Sequence, residues 1–417
     1  MSEEKEISSL EGLAFHSTST YELVNEIGRG GMGIVYLAEK HSEGVCDLLV
    51  LKTIKSLSSE YFDMLKKEAN IATQLRHENI VKTYGLEAFP VDLFPQYFQE
   101  DLKTLEYNKL RQQPKKKPLV FRRHLRRSGR SRKLVTQNNN ETKQKLYLIV
   151  MDYVEGTDLG NLFRAHRRKK LLIPPVLTAF VVSRICRALD YAHNHIIHRD
   201  VSPENILINN HGVAKLSDFG VAVGGKEQLG LLMGKLNYMA PEQLLNPLYD
   251  HRVDIFALGV VTYFCLTGIN LFATPFGMGL EEQTDYIRRL HQEEIIPPAE
   301  VMKDIPKILS DTVMKMLEID PEKRYQTAGE ICDCLEQQYM YAKGFGPTNN
   351  SLQAYLDIFE SNFENYTQQQ LRQLRFLEGS DGKLQLRRYI AQNKYTGRGL
   401  ELIKKFKGTR LRKILDK

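Results

Sequence analysis

The stretch HRDVSPEN, residues 198–205, is followed by ILINNHGVAKLS and then by DFG, residues 218–220. It places Asp200 and Asn205 five positions apart in a polar loop, and Asp218 in a second loop beyond an apolar strand. Carboxylate and amide oxygens are the ligands that Mg²⁺ prefers, and a carboxylate can also accept a proton. A strand joining the two loops would hold the three side chains on one rigid edge.

These motifs resemble the catalytic loop and the metal-binding loop of protein kinases, H-R-D-x-x-x-x-N and D-F-G. The resemblance implies that Asp200 accepts the proton of the attacking hydroxyl and that Asn205 and Asp218 bind Mg²⁺. One position departs from the family pattern, because Ser202 stands where the catalytic loop usually has Lys.

The composition is that of a soluble protein. Of the 417 residues, 42% are hydrophobic and 26% are charged, which is an ordinary balance for folded domains. The N-terminus has no apolar run, so we predict no signal peptide. The apolar stretch 255–272 is interpreted as a buried helix rather than a membrane span. The five cysteines are scattered, and a reducing, cytoplasmic location fits them.

Two basic blocks stand out against an acidic remainder. Residues 109–133 carry 12 Lys and Arg and no acid, and residues 383–417 carry 12 with two acids. The first block lies in a long insertion at about 88–145 and is predicted to be disordered. It is either a tolerated surface insertion or an arm for an acidic partner, a membrane surface or nucleic acid. For the second block, packing on the large lobe and the same surface-binding roles both stay open.

A glycine-rich segment near the N-terminus carries a second motif. Gly28, Gly30 and Gly33 form G-x-G-x-x-G, which alone also matches a dinucleotide-binding fingerprint. The residues that follow, Ile34 to Ala38, are β-branched and aromatic, so they predict a strand rather than a helix. The glycines therefore belong to a hairpin, which resembles the kinase glycine-rich loop with Val35 over the adenine.

Lys52 interrupts an apolar strand, and a Lys in such a place needs a partner. Residues 61–75 have helical periodicity, and Glu68 lies on that helix. By resemblance, Lys52 holds the α- and β-phosphates of ATP and pairs with Glu68. Val50 stands where the family usually has a smaller residue, and we expect it to crowd the adenine pocket slightly.

The same resemblance assigns the rest of the nucleotide contacts. Residues 151–154 would guard the back pocket and form the hinge, and Asp158 would either bind ribose or cap the helix that starts there. The full set of expected ATP contacts is Ile27, Gly28, Gly30, Gly33, Val35, Val50, Lys52, Met151, Asp152, Val154, Asp158 and Leu207.

The segment between Asp218 and Pro241 contains no Ser or Thr. Arg199, which in the family usually grips a phosphate on this segment, has no such hydroxyl to meet. We therefore predict that activity does not require Ser/Thr phosphorylation there. Lys235 stands where the family has Thr, so we hypothesise an exchange in which Lys235 supplies the charge near Asp200 and Ser202 supplies the hydroxyl.

Two further resemblances concern structure. Asp254 is expected to brace the backbone of the catalytic loop, and Arg324 is expected to pair with Glu242. Beyond residue 341 the match ends, and residues 351–377 have helical spacing that favours packing on the large lobe.

The expected fold is α+β, a bilobal protein-kinase fold with a small β-rich N-lobe, a larger helical C-lobe and a helical C-terminal extension. The expected divisions are a flexible leader at 1–19, the N-lobe at 20–154, the C-lobe at 155–342 and the basic extension at 343–417. The expected function is ATP- and Mg²⁺-dependent phosphorylation of Ser or Thr in protein substrates, with a role in signalling. The alternative is a nucleotide-binding pseudokinase or scaffold that acts through its basic segments. The sequence does not determine the oligomeric state.

Overall fold

The chain folds as two units, one built on a β-sheet and one on α-helices. The first comprises residues 1–56 and 86–150, and the second comprises residues 57–85 and 151–417. The helix that carries Glu68, expected in the N-lobe, is thus grouped with the second unit. The computed structural model describes residues 14–16, 20–30, 33–54, 59–91, 145–219, 236–245, 248–275, 277–362 and 365–374.

Six strands make the main sheet, in the order β1-β2-β3-β4-β6-β5, and β1 to β4 pair with their neighbours in antiparallel fashion. They are β1 (Ala14–His16), β2 (Thr20–Gly30), β3 (Gly33–Ser42), β4 (Val45–Ile54), β5 (Thr83–Pro90) and β6 (Lys145–Asp152). One face buries a cluster formed by Tyr21, Leu23, Ile34, Tyr36, Ala38, Leu49, Leu51, Phe89, Leu146, Leu148 and Val150. Alternate residues of β3 and β4 enter this cluster, because side chains of a strand point to opposite faces in turn.

The glycine-rich segment joins β2 to β3, as predicted. Gly30 pairs with Gly33 at the end of the hairpin, and Gly28 pairs with Val35 further along it. A helix does not follow the last glycine, so the dinucleotide-binding alternative is excluded.

Helices dominate the second unit. They are α1 (Ser59–Ala72), α2 (Leu159–Arg168), α3 (Pro175–Ala192), α4 (Pro241–Leu245), α5 (Arg252–Thr267), α6 (Leu280–His291), α7 (Pro298–Val301), α8 (Lys307–Met316), α9 (Ala328–Asp333), α10 (Asn349–Glu360) and α11 (Gln368–Gln373). A π-helix, Cys334–Met340, continues α9. Helix α5 is buried along nearly its whole length, as its apolar sequence predicted. Within the described ranges, no helix combines the length and the apolar character that a bilayer crossing requires.

Helix α10, at the start of the C-terminal extension, packs on α2 within the second unit, as predicted for the first part of residues 351–377. Tyr355 of α10 places its hydroxyl 2.7 Å from Nε2 of the buried His166 on α2. The ring of Phe359 stacks on the same imidazole at 3.9 Å, and Lys169 donates to the Phe359 carbonyl at 2.6 Å. The leader, most of the insertion with block 109–133, and block 383–417 lie outside the described residues.

We expect the stability of this packing to depend on pH. Burial lowers the pKa of His166 to about 4, so the unfolded chain takes up this proton at a higher pH than the folded chain does. Stability is therefore lost as the pH falls from roughly 6.5 to 4, by about 2 kcal/mol between pH 7 and pH 5.

Chemical denaturation of the wild type at pH 7 and pH 5 measures this loss. In His166→Gln the difference in the free energy of unfolding between pH 7 and pH 5 should shrink by about that amount. His211→Gln, at an exposed site, should leave this difference unchanged. An unaltered difference in His166→Gln would contradict the assignment.

Candidate active site

The catalytic loop, between α3 and the next strand, is anchored on α5. The buried Asp254 carboxylate accepts hydrogen bonds from the backbone N–H groups of His198 and Arg199, at 2.8 and 2.7 Å. The predicted bracing role of Asp254 is thus confirmed. Burial alone would raise the pKa of Asp254, but the hydrogen bond and charge of His193 and the nearby His198 hold it below its ordinary value.

Asp200 and Asn205 are in direct contact within the catalytic loop. The Asn205 amide donates to the Asp200 carbonyl at 2.7 Å and to the Asp200 carboxylate oxygen Oδ2 at 2.9 Å. Both residues are buried. Because the Asn205 amide nitrogen is used in this way, its Oδ1 is the atom left for a cation, and a carbonyl oxygen suits Mg²⁺.

A hairpin brings Asp218 to the same end of the unit. Strands β7 (Gly156–Asp158), β8 (Ile206–Asn209) and β9 (Ala214–Leu216) form a second sheet, in which Ile206 pairs with Leu216. The residues just beyond that pair are also bonded, since the N–H of Ser217 donates to the carbonyl of Asn205 at 2.9 Å. Asp218 is the next residue, so the loop that ends in Asn205 and the loop that begins with Asp218 leave the hairpin together.

The loop with Asp200 and the loop with Asp218 each contain a residue other than glycine whose backbone is left-handed. Arg199 has φ 65° and Asp218 has φ 66°. Such conformations cost about 1–3 kcal/mol each and persist where the surroundings determine them. Here His198 supplies part of that support: its Nδ1 accepts from the Asp200 N–H at 3.2 Å, and its Nε2 lies 2.7 Å from the Ser217 carbonyl.

Glu68 is ion-paired to Arg199. Its Oε1 accepts from Arg199 Nη1 at 2.5 Å, and both groups belong to the second unit. Burial raises the pKa of Glu68, and the charge and hydrogen bond of Arg199 oppose this shift in part. No sequence pattern predicts this pair, and the expected pairing of Glu68 with Lys52 stays a prediction.

In the first unit, the register of β2, β3 and β4 places three of the predicted phosphate and adenine residues in one row. Gly28 pairs with Val35, and Val35 pairs with Lys52. Val50 lies on the same face, opposite Leu37. Lys52 and Val50 are buried, whereas Ile27, at the bulge before Gly28, is 45% exposed.

Gly33 is the glycine of the motif whose conformation demands this residue type. Its φ is 148°, and a Cβ there would lie 2.0 Å from the carbonyl oxygen of Thr53. The Thr53 hydroxyl also accepts from the N–H of Ile34 at 2.8 Å. The sequence pattern did not predict this role of Thr53. The only indication of it was the position of Thr53 next to Lys52.

The predicted hinge begins where β6 ends. Met151 is buried, and Asp152 is held by two bonds: its N–H donates to the Lys82 carbonyl at 2.9 Å and its Oδ1 accepts from the Tyr84 hydroxyl at 2.6 Å. Val154 is half-buried in the loop that follows. These residues are continuous in the chain, as their assignment to one hinge requires.

Asp158 caps helix α2, which confirms one of its two predicted roles. Its Oδ1 accepts from the N–H of Asn161 at 2.7 Å, as expected of an N-cap residue. Leu207 is its partner in the sheet. The ribose-binding role of Asp158 and the adenine contact of Leu207 stay predictions.

Of the two residues in the hypothesised exchange, only Ser202 lies among the described residues. Ser202 is completely buried, and its hydroxyl has no hydrogen-bond partner among the described residues. Lys235 lies outside the described residues, as does Gly220.

His193 is a further site residue that sequence reasoning missed. Its Nε2 lies 3.0 Å from Asp254, the carboxylate that accepts hydrogen bonds from the catalytic-loop backbone. It lies at the end of α3, and its short distance in sequence from His198 was the only available signal.

The second unit thus carries the Asp200–Asn205 pair and the neighbouring Asp218, and the first unit carries the glycine hairpin and the buried Lys52, which are the features expected of a protein kinase. The family model for the protein kinase domain matches residues 99–340, and the chain belongs to this family.

Among curated proteins, the chain is 37% identical over 323 residues to a probable serine/threonine-protein kinase of Clostridium perfringens, covering 76% of this chain and 38% of that protein. It is 28% identical to the tyrosine-protein kinase MasK of Myxococcus xanthus, covering 76% and 42%. It therefore spans about two fifths of the length of these relatives.

Among solved structures, the PknI kinase domain of Mycobacterium tuberculosis matches with a TM-score of 0.52 at 20% identity, over 79% of this chain and 100% of that one. This likeness shows the fold, and the predicted α+β kinase architecture is confirmed.

Proposed function

We propose that this chain transfers the γ-phosphoryl group of ATP to serine or threonine hydroxyls of protein substrates, with Mg²⁺ as the cofactor. The observation that carries the proposal is the contact between Asp200 and Asn205 beside the hairpin that leads to Asp218. The donor set fits the cofactor, because an amide oxygen and a carboxylate are hard ligands.

Each of these residues has a separate role in the proposed phosphoryl transfer. Asp200 accepts the proton of the attacking hydroxyl, and the hydrogen bond from Asn205 fixes the orientation of that carboxylate. Asn205 and Asp218 would hold the cation, which neutralises charge on the phosphates when it is bound. Lys52, which pairs with Val35 in the sheet, would position the phosphates, and its pairing with Glu68 is an expectation that comes from the family resemblance.

The test compares wild type with Asp218→Ala, using radiolabelled ATP and a generic basic protein substrate. We expect transfer by the wild type only, and phosphoamino-acid analysis should recover phosphoserine or phosphothreonine. Transfer by neither protein, with nucleotide still bound, would favour the scaffold alternative. Label on tyrosine alone would overturn the assignment to serine and threonine, and MasK makes this comparison necessary.

We also propose that Ser202 and Lys235 exchange the roles of the family Lys and Thr. Buried hydroxyls are normally hydrogen-bonded, but the Ser202 hydroxyl has no partner among the described residues. The exchange would give it one, which supports the proposal. Loss of a charge contact to the transition state costs about 100-fold in rate, so Lys235→Thr alone should lose activity to that extent. The double variant Ser202→Lys/Lys235→Thr should recover part of it. Additive losses in this double-mutant cycle would refute coupling.

We propose that activity does not depend on Ser/Thr phosphorylation between residues 221 and 240. The absence of Ser and Thr from that segment supports this, and the ion pair with Glu68 gives Arg199 a counter-ion from the chain itself. Phosphopeptide mapping after autophosphorylation checks the prediction. A stoichiometric site in this segment that activity requires would contradict it.

We propose that the basic blocks 109–133 and 383–417 are docking segments for an acidic partner, a membrane surface or nucleic acid, on the strength of their charge. Deleting either block should weaken partner binding while phosphorylation of a generic substrate is retained. Equal binding by the deleted and full-length chains would show that the blocks are tolerated surface segments.

A further inference from the structure

A group of metal-binding side chains lies on the β2–β3–β4 sheet, away from the residues assigned to catalysis. The donor atoms of Glu39, His41 and Cys46 all lie within 4.8 Å of one another. His41 Nε2 is 3.3 Å from a Glu39 carboxylate oxygen and 3.8 Å from a carboxylate oxygen of Glu22. The mutually close donors are therefore one sulfur, one imidazole nitrogen and one carboxylate, and the Glu22 carboxylate lies beside the imidazole.

The sheet register brings these four residues together. His41 and Cys46 are direct partners across β3 and β4, and Glu22 and Glu39 are direct partners across β2 and β3. Glu39 and His41 are two residues apart on one strand, so they share a face. All four side chains thus project from the same side of the sheet.

The turn between β3 and β4 holds this register. Glu43 and Gly44 are the two residues between the paired Ser42 and Val45, with φ values of 48° and 88°. Positive φ at both central residues is the geometry of the tight hairpin turn that matches strand twist. The donors of β3 and β4 are therefore arranged before any ligand binds, which lowers the entropic cost of binding.

The two distances from His41 to the carboxylates suit a small tetrahedral cation. Bonds of about 2.0–2.3 Å to a tetrahedral ion separate the ligand atoms by roughly 3.3–3.8 Å, and the two distances from His41 fall in this range. A thiolate with an imidazole favours Zn²⁺ over Mg²⁺, which prefers oxygen ligands. The donor set thus differs in kind from Asn205 and Asp218.

We propose that Glu22, Glu39, His41 and Cys46 form a Zn²⁺-binding site that clamps the end of the β2–β3–β4 sheet. The side chains of Glu22, Glu39 and His41 are 40–48% exposed and Cys46 is exposed, so an ion reaches them from solvent. The thiolate is the form that binds a metal, so Zn²⁺ binding displaces the Cys46 thiol proton, which is released to solvent as the sulfur–metal bond forms.

Cobalt titration of the full chain, in the presence of excess Mg²⁺, tests the site. Co²⁺ is a spectroscopic substitute for Zn²⁺, and we expect tetrahedral d–d bands with a thiolate-to-cobalt charge-transfer band, both removed by one equivalent of Zn²⁺. Cys46→Ser should abolish the charge-transfer band, and His41→Gln should weaken Zn²⁺ binding about 100-fold. Cys334→Ser, which alters a partly exposed thiol elsewhere, should change neither.

The thermal midpoint and the kinase activity of the variants provide two further tests of the proposal. Zn²⁺ should raise the thermal midpoint of the wild type and of Cys334→Ser, but not of Cys46→Ser. All variants should keep basal kinase activity, because the four residues lie outside the catalytic set, and this also shows that they fold. An octahedral spectrum without a charge-transfer band, or a band that survives in Cys46→Ser, overturns the proposal.

Discussion

Replacing Asp200 with Asn is expected to lower the rate of phosphoryl transfer by about 10²–10⁴-fold, the usual contribution of a general base. The change removes the proton acceptor and keeps the shape of the side chain. The amide oxygen of an Asn at 200 can still accept from the Asn205 amide, as Oδ2 of Asp200 does at 2.9 Å. The Asn205 bond to the backbone carbonyl of Asp200 is also independent of the side chain. The loss should therefore come from chemistry rather than from unfolding.

Steady-state kinetics with separate measurement of ATP binding distinguishes these causes. We expect kcat to fall while the affinity for ATP stays within a few-fold, because Asp200 does not belong to the expected nucleotide contacts. Asp311→Asn is a matched control, since Asp311 is exposed on α8 and pairs only at the surface with Lys307. A fall in kcat of less than tenfold in Asp200→Asn would refute its role as the base.

Much of this site follows from sequence because its motifs are local. The contact of Asp200 with Asn205 depends on five consecutive peptide bonds and one short turn. The placement of Asp218 depends on a hairpin whose strands are only a few residues long. The glycine hairpin was also predictable, since Ile34 to Ala38 has the residue types of a strand.

The remaining features depend on contacts that no local pattern encodes. The pairing of Arg199 with Glu68 joins residues 131 positions apart, and a charged residue has many possible partners. The left-handed backbone of Arg199 and Asp218 is imposed by Asp254, His198 and the hairpin rather than preferred by these residue types. The site at His41 and Cys46 needs the register of β3 and β4, and a shift by one residue would place the two side chains on opposite faces.

Breaking the pair of Arg324 and Glu242 is expected to have the largest effect on stability, about 3–5 kcal/mol. The predicted pair is present and bidentate: Arg324 Nη1 and Nη2 donate to the two Glu242 oxygens at 2.6 and 2.8 Å. The guanidinium also donates to the carbonyls of Glu318, Arg252 and Ile319, so all five of its N–H donors are used. Its side chain is 0% exposed, and its charge centre lies 4.9 Å from the Phe256 ring centroid.

Arg324→Met fills a similar volume but leaves the Glu242 carboxylate without the guanidinium and removes the guanidinium donors from three backbone carbonyls. Glu242→Gln leaves the buried guanidinium charge uncompensated, so each single change should lower the free energy of unfolding by a similar amount. The double variant should cost less than the sum of the two, because the first change already removes the shared interaction. Urea denaturation measures all three, and Lys307→Met, in an exposed ion pair, should cost no more than about 0.5 kcal/mol. Additivity of the two single changes would mean that the energy lies in the backbone contacts of Arg324 rather than in its ion pair.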